Sequence, residues 1–281
     1  MPYEAEISRE HPTCFLFVID QSGSMDEMTE AGRSKANFVA DVLNKTLYTL
    51  VTSCSKSDGV RNYFDVGVIA YGGSEVSTGF GGALSEAIVH PIQAISEHAL
   101  RVEERKKKMD DGAGGIVELR TKFPIWFDPK HAGGTPMRAA LNKTMETVAD
   151  WCERHPTSYP PTILHVTDGQ STDGAPDEAA EGLRRLSTKD GEVLLFNLHV
   201  TSAGGGEIVF PTADAELRDD YSRTLFRMSS RCRRIWRGLP ATRDTPSPTA
   251  RAASFSMATH NASWTFSRSA PGPSSSPIDD R

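Results

Sequence analysis

The amino-acid sequence predicts a doubly wound α/β fold, a mostly parallel Rossmann-like sheet with helices on both faces. Two observations carry this expectation. Four segments are apolar without alternation, as strands covered on both faces are. Segments of helical period lie between and after them, and that alternation is the signature of parallel strands joined by crossover helices.

Residues 14–20, CFLFVID, form the first strand. In SKANFVADVLNKTLYTLVTS, the residues Phe38, Val39, Val42, Leu43, Leu47, Leu50 and Val51 recur at helical spacing. FDVGVIAYGG is a second strand closed by Gly72 and Gly73. MRAALNKTMETVADWC is a helix, and PTILHVTDG, 161–169, is a third strand opened by prolines. DEAAEGLRRLST follows as a helix, EVLLFNLHVTS, 192–202, as a fourth strand, and AELRDDYSRTLFRMSS as a last helix. Between Gly81 and Pro129 the pattern is less regular. AIVHPIQAIS offers a short strand, RVEERKKKMDDG meets a GAGG turn, and IVELRTKFPIWFDP alternates in part. This stretch, about 81–130, reads as an insertion or elaborated edge, with a hairpin as its simplest form. Lys106 to Lys108 are flanked by Glu103, Glu104, Asp110 and Asp111, which makes a solvated face rather than a binding patch.

The 281 residues are 38% hydrophobic and 24% charged, a balance that suits a globular chain with a sizeable core. No apolar run approaches the roughly 20 residues that cross a bilayer. The opening MPYEAEISREHPT has three glutamates and no basic start, so no export signal is expected there. Cys14, Cys54, Cys152 and Cys232 are scattered without a CxxC pair, which fits reduced thiols of a cytoplasmic protein better than a disulfide framework or zinc site. Residues 229–281 carry eight Arg and three Asp, a net +5, so residues 1–228 carry −11 of the chain's total of −6. An acidic body argues against nucleic acid as the main partner.

The composition shift sets the expected domain boundary, with one domain over 1–228 and a separate tail over 229–281. The tail holds 11 Ser and 6 Pro but no Glu or Lys, and shows no apolar periodicity. Two readings stay open: a disordered tail, or the out-of-frame translation of a GC-rich gene whose native C-terminal elements are lost.

Three segments carry the chemistry. DQSGS, Asp20 to Ser24, follows the first strand; GGTP, Gly133 to Pro136, opens a helix; TDG, Thr167 to Gly169, follows the strand ILHV. In an open parallel sheet the loops at the carboxyl ends of strands meet in one crevice. Asp20 and Asp168 both leave such ends, and Thr135 reaches the crevice if its helix packs beside them. Two carboxylates and three hydroxyls suit a hard divalent cation such as Mg²⁺. With only two carboxylates the ion keeps an attraction for a further anionic oxygen from outside.

These residues resemble the von Willebrand factor A (vWA) family and its metal-ion-dependent adhesion site, whose pattern is DxSxS, then a threonine, then an aspartate. Asp20, Ser22, Ser24, Thr135 and Asp168 match all five positions, and the resemblance covers roughly 13–228. It implies direct coordination of Mg²⁺ or Mn²⁺ by Ser22, Ser24 and Thr135, with the two aspartates binding directly or through water. It also implies a non-catalytic module that grips a glutamate or aspartate of a protein partner; the acidic body and the lack of a long apolar run add the expectation of no nucleic-acid or membrane partner. The likeness is nearest to stand-alone bacterial vWA proteins, which act as scaffolds beside ATPases or kinase and phosphatase partners.

Plainer readings compete at each position. Ser22 and Ser24 could cap the first helix, Thr135 before Pro136 makes a good N-cap, and Asp168-Gly169 could be only a turn. DGQSTDG has Asp173 where an EF-hand loop needs glycine. There is no GxGxxG, GK[ST] or GxSxG. His165 lies within a strand and reads as a hydrogen-bonded core histidine, and His131 reads more simply as a surface residue than as part of the crevice rim. The rival function is a Mg²⁺-dependent phosphatase of the haloacid dehalogenase type with Asp20 as nucleophile. That family needs an aspartate where Ser22 stands and a lysine before its final acidic loop, and the strand leading to Asp168 has none.

Overall fold

The computed structural model describes residues 3–29, 32–110, 116–201, 213, 215, 217, 219–230 and 254–257; the side chains of 107–110, 116–119 and 254–257 lie outside that description. The chain begins with β1 (Thr13–Asp20), a short 3-10 turn (Gly23–Asp26) and α1 (Lys35–Cys54). A two-residue hairpin, β2 (Ser55–Lys56) and β3 (Gly59–Val60), leads to β4 (Phe64–Gly72), β5 (Glu75–Thr78), β6 (Val89–Pro91) and α2 (Ile92–Glu97). Then come β7 (Arg101–Asp110), β8 (Ile116–Ile125), α3 (Met137–Arg154), β9 (Thr162–Thr167) and α4 (Asp177–Arg185). A second small hairpin, β10 (Ser187–Thr188) and β11 (Gly191–Glu192), precedes β12 (Leu194–Val200), α5 (Asp220–Met228) and β13 (Ser254–Met257).

The main sheet runs β13-β12-β9-β1-β4-β5, with β6 also paired to β4. The pairs among β13, β12, β9, β1 and β4 are parallel, while β5 and β6 lie antiparallel to β4. This is the expected doubly wound, mostly parallel architecture. Alternate residues of β1 show why its strands read as continuous apolar runs. Phe15, Phe17 and Ile19 pack with Phe38, Val39, Leu43 and Leu47 of α1. Cys14, Leu16 and Val18 point the other way, into Leu141, Val148 and Trp151 of α3 and Leu183 of α4. Each such side chain, taken fully from water, contributes about 1.5–3 kcal/mol, so a strand buried on both faces anchors two helical layers at once.

Within the irregular stretch, β7 and β8 form a hairpin, pairing antiparallel from Arg101↔Ile125 to Asp110↔Ile116 as a sheet of their own, while β6 joins the main sheet beside β4. Arg105 ties it to α1, donating from Nη1 to Asp41 Oδ1 at 2.8 Å while its guanidinium lies 3.8 Å from the centre of the Phe123 ring. Asn44 of α1 then fixes the chain beyond β8. Its Oδ1 accepts from Trp126 N and Phe127 N at 2.8 and 3.1 Å, and its Nδ2 donates to Phe127 O at 2.8 Å. That segment leads directly into the loop carrying Thr135.

Packing continues past the expected boundary at Met228. Ser229 Oγ donates to Leu225 O at 2.8 Å and accepts from Asn197 Nδ2 at 2.9 Å, and Ser230 Oγ accepts from Leu195 N at 2.9 Å. Ser254–Met257 pairs with β12 as the outermost parallel strand, inside the segment where no element is expected. The rest of the tail, 231–253 and 258–281, lies outside the described residues.

Candidate metal centre

β1 and β9 are adjacent and parallel, in register from Phe15↔Thr162 to Ile19↔Val166, so Asp20 and the Thr167-Asp168 pair leave the sheet side by side. The chain turns one way from β1 toward β4 and the other way from β9 toward β12. Their carboxyl ends therefore flank a topological switch point, where doubly wound sheets open a crevice.

Asp20 is only 1% exposed. Its Oδ1 accepts from Ser22 N at 2.8 Å and its Oδ2 from Thr167 Oγ1 at 2.6 Å. The hydroxyls of Ser22 and Ser24 are 3.1 Å apart, and Ser24 Oγ donates to Asp168 Oδ1 at 2.7 Å. Four of the five expected ligands are thus linked in sequence, Asp20 to Ser22 through the Ser22 backbone N–H and onward to Ser24 and Asp168 through the two hydroxyls. Burial pushes the Asp20 carboxyl above its ordinary range; hydrogen bonds from Thr167 and Ser22 oppose this, and the Asp168 charge adds to it. A cation between the two carboxylates would relieve both the desolvation and the repulsion.

The fifth residue, Thr135, comes in on a loop laced to the first. Ala132 N donates to Gln21 O at 2.8 Å, and Gly23 N donates to Gly133 O at 2.9 Å. Gly133 has φ +59°, and a Cβ there would lie 2.7 Å from the Gly73 Cα, so this crossing needs glycine. Thr172 clamps Thr135 from the third loop: its Oγ1 accepts from Thr135 N at 2.8 Å and its backbone N donates to Thr135 O at 2.9 Å. Thr135 is 6% exposed, and among the described residues no hydrogen bond occupies its hydroxyl.

The capping alternatives do not hold. Ser34 caps α1, accepting from Asn37 N at 3.3 Å, while Ser22 precedes only a four-residue 3-10 turn and its side chain caps nothing. α3 starts at Met137 after Pro136, with no side-chain cap from its own segment. Asp173 caps it from the third loop instead, accepting from Arg138 N at 3.0 Å and Ala139 N at 2.8 Å. The hydroxyls of Ser22, Ser24 and Thr135 are therefore not consumed by helix ends.

The donors fit a hard divalent ion, being all oxygen and including two carboxylates. Among the described residues no cluster of three or more His, Cys, Asp and Glu could hold a metal, so a cation here depends on the hydroxyls. One group beside Asp168 was not anticipated. Lys35, at the start of α1 and 4% exposed, donates from Nζ to Asp168 Oδ2 at 2.9 Å and to Glu27 Oε2 at 2.7 Å. Burial disfavours its charge, but the two carboxylates outweigh burial and raise its pKa above the usual lysine value. Apolar periodicity says nothing of such a contact; the available signal was a lysine at the first turn of a helix, where cations are disfavoured. Thr167, Thr172 and Asp173 were equally missed as supports, although all three lie in the loop sequence TDGQSTD.

His131 is exposed, its Nε2 3.3 Å from Asp26 Oδ1. His165 is the buried core histidine expected, placed between Tyr71 Oη and Asn197 Oδ1 at 2.7 Å each, and burial depresses its pKa to about 4.

No family model matches the sequence, and no curated protein does. Solved structures do match it. The pilus adhesin SpaC from Lactobacillus rhamnosus GG is 15% identical, with 78% of this chain covering 27% of that one at a TM-score of 0.42. Manganese-loaded Plasmodium vivax TRAP protein is 15% identical, with 67% of this chain covering 57% of that one at a TM-score of 0.34. The chain thus spans about a quarter of the first and somewhat over half of the second.

Proposed function

We propose that the chain is a vWA-type binding module that holds Mg²⁺ or Mn²⁺ with Asp20, Ser22, Ser24, Thr135 and Asp168. Through that ion it grips an acidic side chain of a protein partner, without catalysis. The observation that supports this best is the linked set running from Asp20 through the Ser22 backbone N–H and the Ser22 and Ser24 hydroxyls to Asp168, with the serine hydroxyls left free of capping duty. When bound, the metal supplies an electrophilic point for a carboxylate. The chain's own residues hold the two acids at fixed separation and keep Asp20 from water. The expectations of a cytoplasmic location, a bacterial stand-alone type and ATPase or kinase/phosphatase partners belong to the same reading. Pull-downs from a bacterial lysate with and without a chelator test it: partners retained with Mg²⁺ and lost with chelator support it, and capture indifferent to chelator counts against it.

The phosphatase reading gains one observation, because Lys35 puts an ammonium beside Asp168 that the local strand lacked. It still has serine at Ser22 where the general acid belongs, and serine is a poor proton donor. The nucleophile, Asp20, is also turned into hydrogen bonds through both oxygens. Turnover of p-nitrophenyl phosphate that disappears in Asp20→Asn would reverse the order.

A further inference from the structure

We infer that Lys35 is a built-in counter-cation that sets the charge of the metal centre, weakening its hold on the metal while strengthening the metal-loaded site's hold on an anion. The inference rests on the proposed metal reading and deepens it.

Three observations carry it. Lys35 is buried, and long cationic side chains are almost never fully buried without a partner. It begins a 20-residue helix that has no acidic residue in its first turn, although a cation at a helix N-terminus opposes the helix dipole. Its own helix therefore gives no reason for the charge. The third is the partner: the Asp168 side chain is 0% exposed and holds Lys35 Nζ at 2.9 Å. Glu27 meets the ammonium from the solvent side at 2.7 Å and is 56% exposed, so its charge is partly screened, whereas that of Asp168 is not.

The charges then follow. With the buried groups in their charged forms and the solvent-facing Glu27 set aside, Asp20, Asp168 and Lys35 leave the inner centre with a single negative charge, and a divalent ion would turn it into a single positive one. Without Lys35 the loaded centre would be neutral. A fixed positive charge near the metal repels the ion and attracts whatever anion arrives next, so the two affinities move in opposite directions when it is removed. A purely structural lysine would not produce that pattern, because loosening the loops weakens both.

The test compares the full-length wild type with Lys35→Gln, which keeps a donor for Asp168 but loses the charge, and with Lys35→Arg, which keeps the charge. Mg²⁺ is titrated by calorimetry, and N-acetylglutamate amide is then titrated into the Mg²⁺-saturated proteins and followed by backbone amide shifts. The expected result is Mg²⁺ binding about tenfold tighter and the carboxylate probe several-fold weaker in Lys35→Gln, the scale of one partly screened charge, with Lys35→Arg like wild type in both. Unchanged affinities, or both affinities weakened together, would overturn the inference. Lys35→Met replaces the glutamine variant if that one does not fold. Failure of both neutral variants to fold even in Mg²⁺ would assign Lys35 to structure and also overturn it. A wild type that binds no Mg²⁺ would instead defeat the metal reading itself, a separate outcome.

Discussion

Ser24 and Asp168 are 144 residues apart in sequence, yet Ser24 Oγ donates to Asp168 Oδ1 at 2.7 Å. That one bond closes the loop after β1 onto the loop after β9. Replacing Ser24 by alanine should cost about 1 kcal/mol, the usual net worth of one hydrogen bond, and should weaken Mg²⁺ binding more than it weakens the fold. Urea unfolding with and without Mg²⁺ separates the two effects. A variant as responsive to Mg²⁺ as wild type would show that Ser24 serves the loop alone.

Asp173 holds the third loop to the N-terminus of α3 by accepting from Arg138 N and Ala139 N. Asp173→Ala should therefore cost about 1 kcal/mol, as the loss of a helix cap does. It should also loosen Thr135, which the neighbouring Thr172 clamps. Faster amide exchange confined to the first turn of α3 and to Thr135 is the expected signature in hydrogen–deuterium exchange. Uniform protection would contradict it.

Gly133→Ala adds a methyl group 2.7 Å from the Gly73 Cα at φ +59°. The close approach is to backbone, so relief requires the two loops to part. A loss of about 1–3 kcal/mol is expected, read as a lower urea midpoint at an unchanged slope.

His165 predicts a pH effect. Its folded-state pKa of about 4 lies below the ordinary value of 6.5 because it is buried neutral between Tyr71 and Asn197. The unfolded chain therefore binds the extra proton first, and folding becomes less favourable as pH falls from about 6.5 towards 4. At the bottom of that window the effect is of the order of 3 kcal/mol, at about 1.4 kcal/mol for each pH unit between the two values. His165→Gln should flatten the stability profile across that window relative to wild type, by chemical denaturation at each pH. Parallel profiles would mean that the histidine does not control it.

The central strands were legible because burial on both faces leaves continuous apolar runs such as Phe15–Ile19 and Ile163–Val166. The edge was not. Glu75–Thr78 and Ser254–Met257 are four residues each, too short for a period to show. Asp20, Ser22, Ser24, Thr135 and Asp168 could be picked out together because each sits at the end of a readable element. Within its local segment, Thr135 is the natural candidate to cap α3. The residue that does so is Asp173, which reaches Arg138 N from 35 residues further along the chain, in the loop after β9. Lys35 is hidden for a similar reason: its partner, Asp168, is supplied by topology and not by spacing.

The most direct measurement of the central claim is a Mg²⁺ titration by calorimetry on the full chain and on Asp20→Ala. Saturable heat from the wild type and none from Asp20→Ala is the predicted result. Equal heats from both would contradict it.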